Sequence, residues 1–142
     1  MQNLACHPRV ILADDHPQTA ELLRDLLESE FEVIAQVDDG LALVVAAERL
    51  LPDVIVSDIS MPHLDGIAAT SMITRRNPSV RIVLVTVHND PVLAERGFEA
   101  GALGYVLKRS AGDELIPAVH AALRGQRHGG LGTWPDRRVR HS

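Results

Sequence analysis

A single cysteine, Cys6, occurs in 142 residues, so no internal disulfide can staple the fold and stability has to come from a packed core. Aromatic residues are scarce at 3%, yet 46% hydrophobic and 23% charged residues place the chain among ordinary globular proteins. No apolar run approaches the roughly 18 residues that a membrane-spanning helix needs. The start, Met-Gln-Asn-Leu-Ala-Cys-His-Pro, lacks a basic stretch followed by an apolar core. The expectation is a cytoplasmic protein without a membrane partner. The length suits one domain, large enough to bury a core of its own.

Basic residues are few in most of the chain. Residues 1–123 hold 18 acids against 9 bases, whereas 124–142 hold 1 acid against 5 bases. An acidic body excludes a nucleic-acid surface there, because phosphate contacts need clustered Lys and Arg.

What the chain does have is a repeated alternation. Apolar runs at 10–13, 31–35, 54–56, 80–85 and 104–107 read as strands. Helical patterns fill the gaps at 17–30, 41–51, 66–76 and 91–100, and a fifth follows at 113–124. Strict alternation predicts an α/β doubly wound parallel sheet of five strands with five right-handed crossover helices. Residues 1–8 read as an N-terminal extension and 9–125 as the domain. Residues 126–142, with glycines, arginines and no periodicity, read as a disordered basic tail or the start of a linker.

Ligands of such sheets bind outside the carboxyl ends of the strands. There the first strand runs into Asp14-Asp15, the third into Ser57-Asp58, the fourth into Thr86 and the fifth into Lys108. Three carboxylates on one rim repel one another, and a divalent cation is the economical way to keep them ionised. Oxygen-only ligands indicate Mg2+, with Mn2+ as the alternative. An aspartate can also act as a nucleophile and form an acyl phosphate, whose oxygens Thr86, Lys108 and the cation could bind. The bland alternative is that these aspartates only cap helices.

These residues resemble the receiver domain of bacterial two-component response regulators. The resemblance covers about residues 9–125. It rests on Asp14-Asp15, on Asp58 followed by Met61-Pro62 and Asp65-Gly66, on Thr86, and on Gly101-Ala-x-Gly104-Tyr105-x-x-Lys108. The Asp-Asp-His-Pro start and Gly-Tyr-Val-Leu-Lys look most like the NarL/FixJ subclass, whose usual output is a helix-turn-helix. The resemblance implies a flavodoxin-like (CheY-like) fold with strand order 2-1-3-4-5. It further implies Asp58 as phosphoacceptor from a sensor histidine kinase, and Mg2+ held by Asp14, Asp15, Asp58 and the Ser60 backbone carbonyl. Thr86 and Lys108 would bind the phosphoryl group, and Thr86 with Tyr105 would form the switch pair. The surface of helix four, strand five and helix five would control output and could pair two copies. Such a domain is a signalling phosphoacceptor rather than an enzyme, beyond catalysing its own phosphorylation and slow hydrolysis.

Arg109 stands where many receivers have proline. Pro117 costs about 3 kcal/mol if it lies in a helix interior, and less if Asp113 is the N-cap. His16, His63 and His88 fall near the rim without metal-ligand spacing, and His88, two residues past Thr86, is a candidate for tuning hydrolysis. Two rival readings are weighed. A haloacid-dehalogenase-like phosphatase would want an aspartate where Ser60 stands, and a degenerate receiver would act as a phosphorylation-independent interaction module. This chain has no room for a helix-turn-helix and is expected not to bind DNA itself, though a longer form could carry one.

Overall fold

Short apolar segments bounded by helices leave the chain one way to satisfy its backbone, a parallel ladder with a helix crossing between successive strands. The computed structural model describes residues 7–129. Its elements are β1 (Arg9–Ala13), α1 (Pro17–Glu28), β2 (Glu32–Val37), α2 (Gly40–Leu50), β3 (Val54–Asp58), α3 (Gly66–Arg76), β4 (Arg81–Thr86), α4 (Pro91–Ala100), β5 (Gly104–Leu107), α5 (Ala111–Leu123) and β6 (His128–Gly129). The five longer strands lie in the order β2-β1-β3-β4-β5, all parallel, and five helices cover them. This is the expected doubly wound fold. No helix among the described residues is long and apolar enough to cross a membrane.

Alternate residues of each strand feed opposite layers. Val10, Leu12, Val54, Val56, Val83, Val85 and Val106 pack with Leu23, Leu27, Leu115 and Val119 of α1 and α5. Ile11, Ile55, Ile82, Leu84 and Tyr105 pack with Leu43, Ala69, Ile73 and Phe98 of α2, α3 and α4. The strands buried on both faces therefore read as continuous apolar runs, while β2, at the edge, is only half buried.

Two expectations need correction. The fifth helix does not start at an Asp113 cap. A 3-10 turn at Lys108–Ser110 leads straight into Ala111, and Asp113 lies in the first turn of α5. Pro117 is consequently inside the helix. The carbonyl that loses its donor belongs to Asp113, which is exposed, so water can take that bond and soften the penalty. Nor does regular structure end at residue 125. Gly125 adopts φ +77° and caps α5, its N–H donating to the Ala122 carbonyl and that of Gln126 to Ala121, the Schellman arrangement. That reversal carries His128–Gly129 alongside β5 as a sixth parallel strand. The remainder of the expected tail, residues 130–142, and residues 1–6 of the N-terminal extension lie outside the described residues.

Candidate functional site

Strand register decides which residues meet at the rim. Ala13 pairs with Ser57, Asp58 with Val85, and Thr86 with Leu107. One step further along, Asp14, Asp58 and Lys108 converge. The Lys108 ammonium, the only one from a lysine in the chain, stands 3.0 Å from Asp58 Oδ2 and 3.1 Å from Asp14 Oδ2. The Asp14 side chain is fully buried, that of Asp58 is 4% exposed, and that of Lys108 is 11% exposed. A buried ion triad of this kind holds only if the geometry is good, since each charge forgoes its hydration. Burial raises the Asp58 carboxyl above its ordinary value, and the Lys108 hydrogen bond and charge oppose that rise.

The capping alternative fails on position. The N-caps of α1 to α5 are His16, Asp39, Asp65, Asp90 and Ser110. Asp39, Asp65 and Asp90 do cap with their side chains, whereas Asp14, Asp15 and Asp58 stand outside every cap position. Instead Asp14 Oδ1 accepts the His16 backbone N–H at 2.9 Å, and Asp58 Oδ1 accepts that of Ser60 at 3.3 Å.

Asp14 Oδ2 and Asp15 Oδ1 are buried and accept no hydrogen bond. The Lys108 ammonium, 3.1 Å from Asp14 Oδ2, and the His16 ring nitrogen, 3.1 Å from Asp15 Oδ1, contact them without hydrogen-bond geometry. Both oxygens therefore lack the directed donor that a buried carboxylate oxygen needs when no metal cation serves it. Together with Asp58 they offer three carboxylates that fit a hard divalent ion, with the His16 ring nitrogen in the same cluster.

Thr86 is buried, and its hydroxyl oxygen accepts the His88 backbone N–H at 3.1 Å. The Tyr105 ring is 2% exposed and packed inward, its hydroxyl donating to the His88 carbonyl at 2.5 Å. Burial pushes the Tyr105 phenol up to about 12, against a hydrogen bond from the Asp90 backbone, so it stays a neutral donor at neutral pH. Thr86 and Tyr105 therefore grip one loop residue from two sides, while the His88 side chain is exposed beside the rim cleft. His63 turns away to Asp39, its ring nitrogen 3.3 Å from that carboxylate.

One residue near the site escaped the sequence reading, and a second was placed near the rim without its contacts. His16, already read as near the rim, places Nδ1 3.1 Å from its neighbour Asp15 and 3.8 Å from Asp58, the second a proximity across strands that no linear spacing encodes. Arg96 of α4 lines the same cleft as Asp15, Ser60 and His88, brought there only by tertiary packing.

Two helix-starting glycines hold the loop that follows Asp58. A Cβ at Gly40 would overlap the Leu64 carbonyl oxygen, and one at Gly66 the Asp58 carbonyl oxygen. The Gly66 N–H also donates to Ile59 at 2.7 Å. Gly66→Ala is expected to destabilise the fold by about 1–3 kcal/mol and to shift the Asp58 backbone. Urea unfolding measures the first effect, and the Asp58 amide chemical shift the second.

A family model described as the response regulator receiver domain matches residues 10–120. The chain is 36% identical over 119 residues to the transcriptional regulatory protein DegU of Brevibacillus brevis, covering 82% of this chain and 50% of that protein. It is 33% identical over 122 residues to the response regulator GacA of Pseudomonas aeruginosa, covering 84% and 57%. A LuxR-family two-component response regulator from Aurantimonas matches with a TM-score of 0.87 at 33% identity, over 95% of this chain and 98% of that one. The isolated RcsB receiver domain of Salmonella enterica with phosphomimetic beryllofluoride matches with a TM-score of 0.80 at 30% identity, over 89% and 96%. The chain spans about half the length of these curated relatives.

Proposed function

The chain belongs to the response regulator receiver family, and on that premise we propose that it accepts a phosphoryl group on Asp58 from the phosphohistidine of a sensor kinase. The observation that carries the reading is the meeting of Asp14, Asp58 and Lys108 within 3.1 Å at the rim, beside a second buried carboxylate oxygen of Asp15. An Asp58 oxygen forms the new bond to phosphorus as the phosphorus–nitrogen bond to the donor imidazole breaks, and that nitrogen takes up a proton. The product is an acyl phosphate, which water later hydrolyses.

Lys108 is placed to share its ammonium between Asp58 and an incoming phosphoryl oxygen, and Thr86 can turn its hydroxyl to another. Asp14, Asp15, Asp58 and the Ser60 carbonyl would hold Mg2+, with Mn2+ able to replace it. When bound, that ion neutralises the carboxylates and the developing charge on the transferring group. As Thr86 turns toward the phosphoryl group it releases the His88 N–H. The loop that Tyr105 also grips is thereby freed to rearrange toward α4, β5 and α5, where two copies could pair. His88 beside the cleft would tune access of water to the acyl phosphate.

The setting we propose is cytoplasmic, with transcriptional output through a DNA-binding module in a longer form. Removal of the metal tests the site. Mg2+ is expected to raise the melting temperature, and EDTA to abolish labelling of Asp58 by acetyl phosphate. Labelling that proceeds unchanged in EDTA would contradict the assignment of the carboxylates. No labelling under any condition would favour a phosphorylation-independent interaction module.

A further inference from the structure

An edge strand exposes unpaired backbone groups and invites a partner, and β5 would be such an edge if the chain ended with α5. The residues after Gly125 cover it. The His128 N–H donates to the Leu103 carbonyl at 2.9 Å, and the register pairs Gly104 with His128 and Tyr105 with Gly129. Successive side chains of an extended segment point to opposite faces, and here each finds an anchor. On the α4 side, the Arg127 guanidinium lies 4.8 Å from the centroid of the Phe98 ring. On the α5 side, His128 Nε2 comes within 3.8 Å of Glu114 Oε1. Four residues, 126–129, thus touch α4, β5 and α5, and their pairing partner on β5 includes Tyr105 itself.

We propose that residues 126–129 are a built-in strap over the α4–β5–α5 face, and that a second copy of this chain pairs through that face only by displacing it. The inference rests on the reading of that face as the pairing surface. Beyond the bonds of Gln126 to Ala121 and Arg124, residues 127–129 make a short backbone ladder, one ring contact and one long His128–Glu114 contact, so the strap is held firmly enough to occupy the edge and loosely enough to be exchanged. Its pairing with Tyr105 joins it to the residue that grips the loop after β4. A change at Thr86 therefore reaches the strap through a single strand.

The test uses the whole 142-residue chain. Arg127→Ala removes the ring contact, and His128→Pro removes the donor to Leu103. Both positions lie outside the core, so both variants should melt close to the wild type. Self-association by sedimentation, with and without Mg2+ and beryllofluoride, is expected to tighten about two- to fivefold in each variant. Hydrogen exchange at 126–129 should accelerate in the variants, and in the wild type as it dimerises. Variants that associate no more tightly than the wild type, or a dimer in which 126–129 stays protected, would overturn the strap. Intact mass after acetyl phosphate treatment separates this from the phosphoacceptor reading. An Asp58 adduct with an unmoved strap removes only the strap. Without an adduct, the comparison of variants in the absence of beryllofluoride still decides it.

Discussion

Lys108→Met is expected to destabilise the metal-free protein by about 3–5 kcal/mol, because it leaves two buried carboxylates facing each other without their shared cation. The methionine fills much of the space of the lysine stem, so the loss reports charge rather than a cavity. Asp14 keeps only the His16 N–H, and Asp58 keeps only that of Ser60 as a hydrogen-bond donor. Mg2+ should restore part of the lost stability, since a divalent ion at the same carboxylates offsets the same repulsion. Phosphoryl uptake from acetyl phosphate should slow by roughly 10²–10³-fold, the usual effect of removing one preorganised donor to a developing oxyanion. Chemical denaturation with and without Mg2+, and timed intact-mass spectra, measure the two effects separately.

Asp58→Asn should do the reverse to stability while removing the phosphoacceptor. Burial raises the Asp58 pKa in the folded state, so its contribution to stability is fully present below the ordinary aspartate value of 3.8 and is lost as pH rises through the raised value. At neutral pH the metal-free wild type therefore carries the cost of an ionised buried carboxylate, which the neutral amide relieves. Lys108 remains paired with Asp14 in the variant. The variant should melt above the wild type at pH 7 without metal. That gap should narrow as pH falls toward 4 and the wild-type carboxyl takes up its proton. A variant that melts lower at pH 7 would mean that the Lys108 pairing outweighs the burial of Asp58.

Much of this arrangement was legible in the sequence because the sheet is buried on both faces. Val54-Ile55-Val56 and Ile82-Val83-Leu84-Val85 have no solvent side, so each apolar run ends where its strand meets the rim, and the next polar residue is placed by that ending. Asp58 and Thr86 follow directly. Lys108 and the pairing of Asp14 with Asp58 follow from strand order, which alternation and handedness nearly dictate.

The start of α5 was not legible for a local reason. Ser110 caps no backbone N–H with its side chain, and the 3-10 turn before it carries no hydrophobic period. The sixth strand was hidden for a tertiary one. Two residues of Arg-Gln-Gly-rich sequence have no pattern of their own, and what fixes them is the Gly125 reversal and contacts to Phe98 and Leu103, each more than twenty residues away. His16 was legible as a residue near the rim, but its approach to Asp58 was not. It occupies a helix N-cap without capping, and its ring meets carboxylates supplied by two different strands.

The most direct test of the account is the intact mass of the chain after incubation with Mg2+ and acetyl phosphate, read beside Asp58→Asn. The account predicts one phosphoryl group, about 80 Da, on the wild type, and none on the variant, because Asp58 takes the Lys108 hydrogen bond at the rim whereas the Asp14 side chain is fully buried. An adduct of equal yield on the variant, or no adduct on a folded wild type that binds Mg2+, would contradict it.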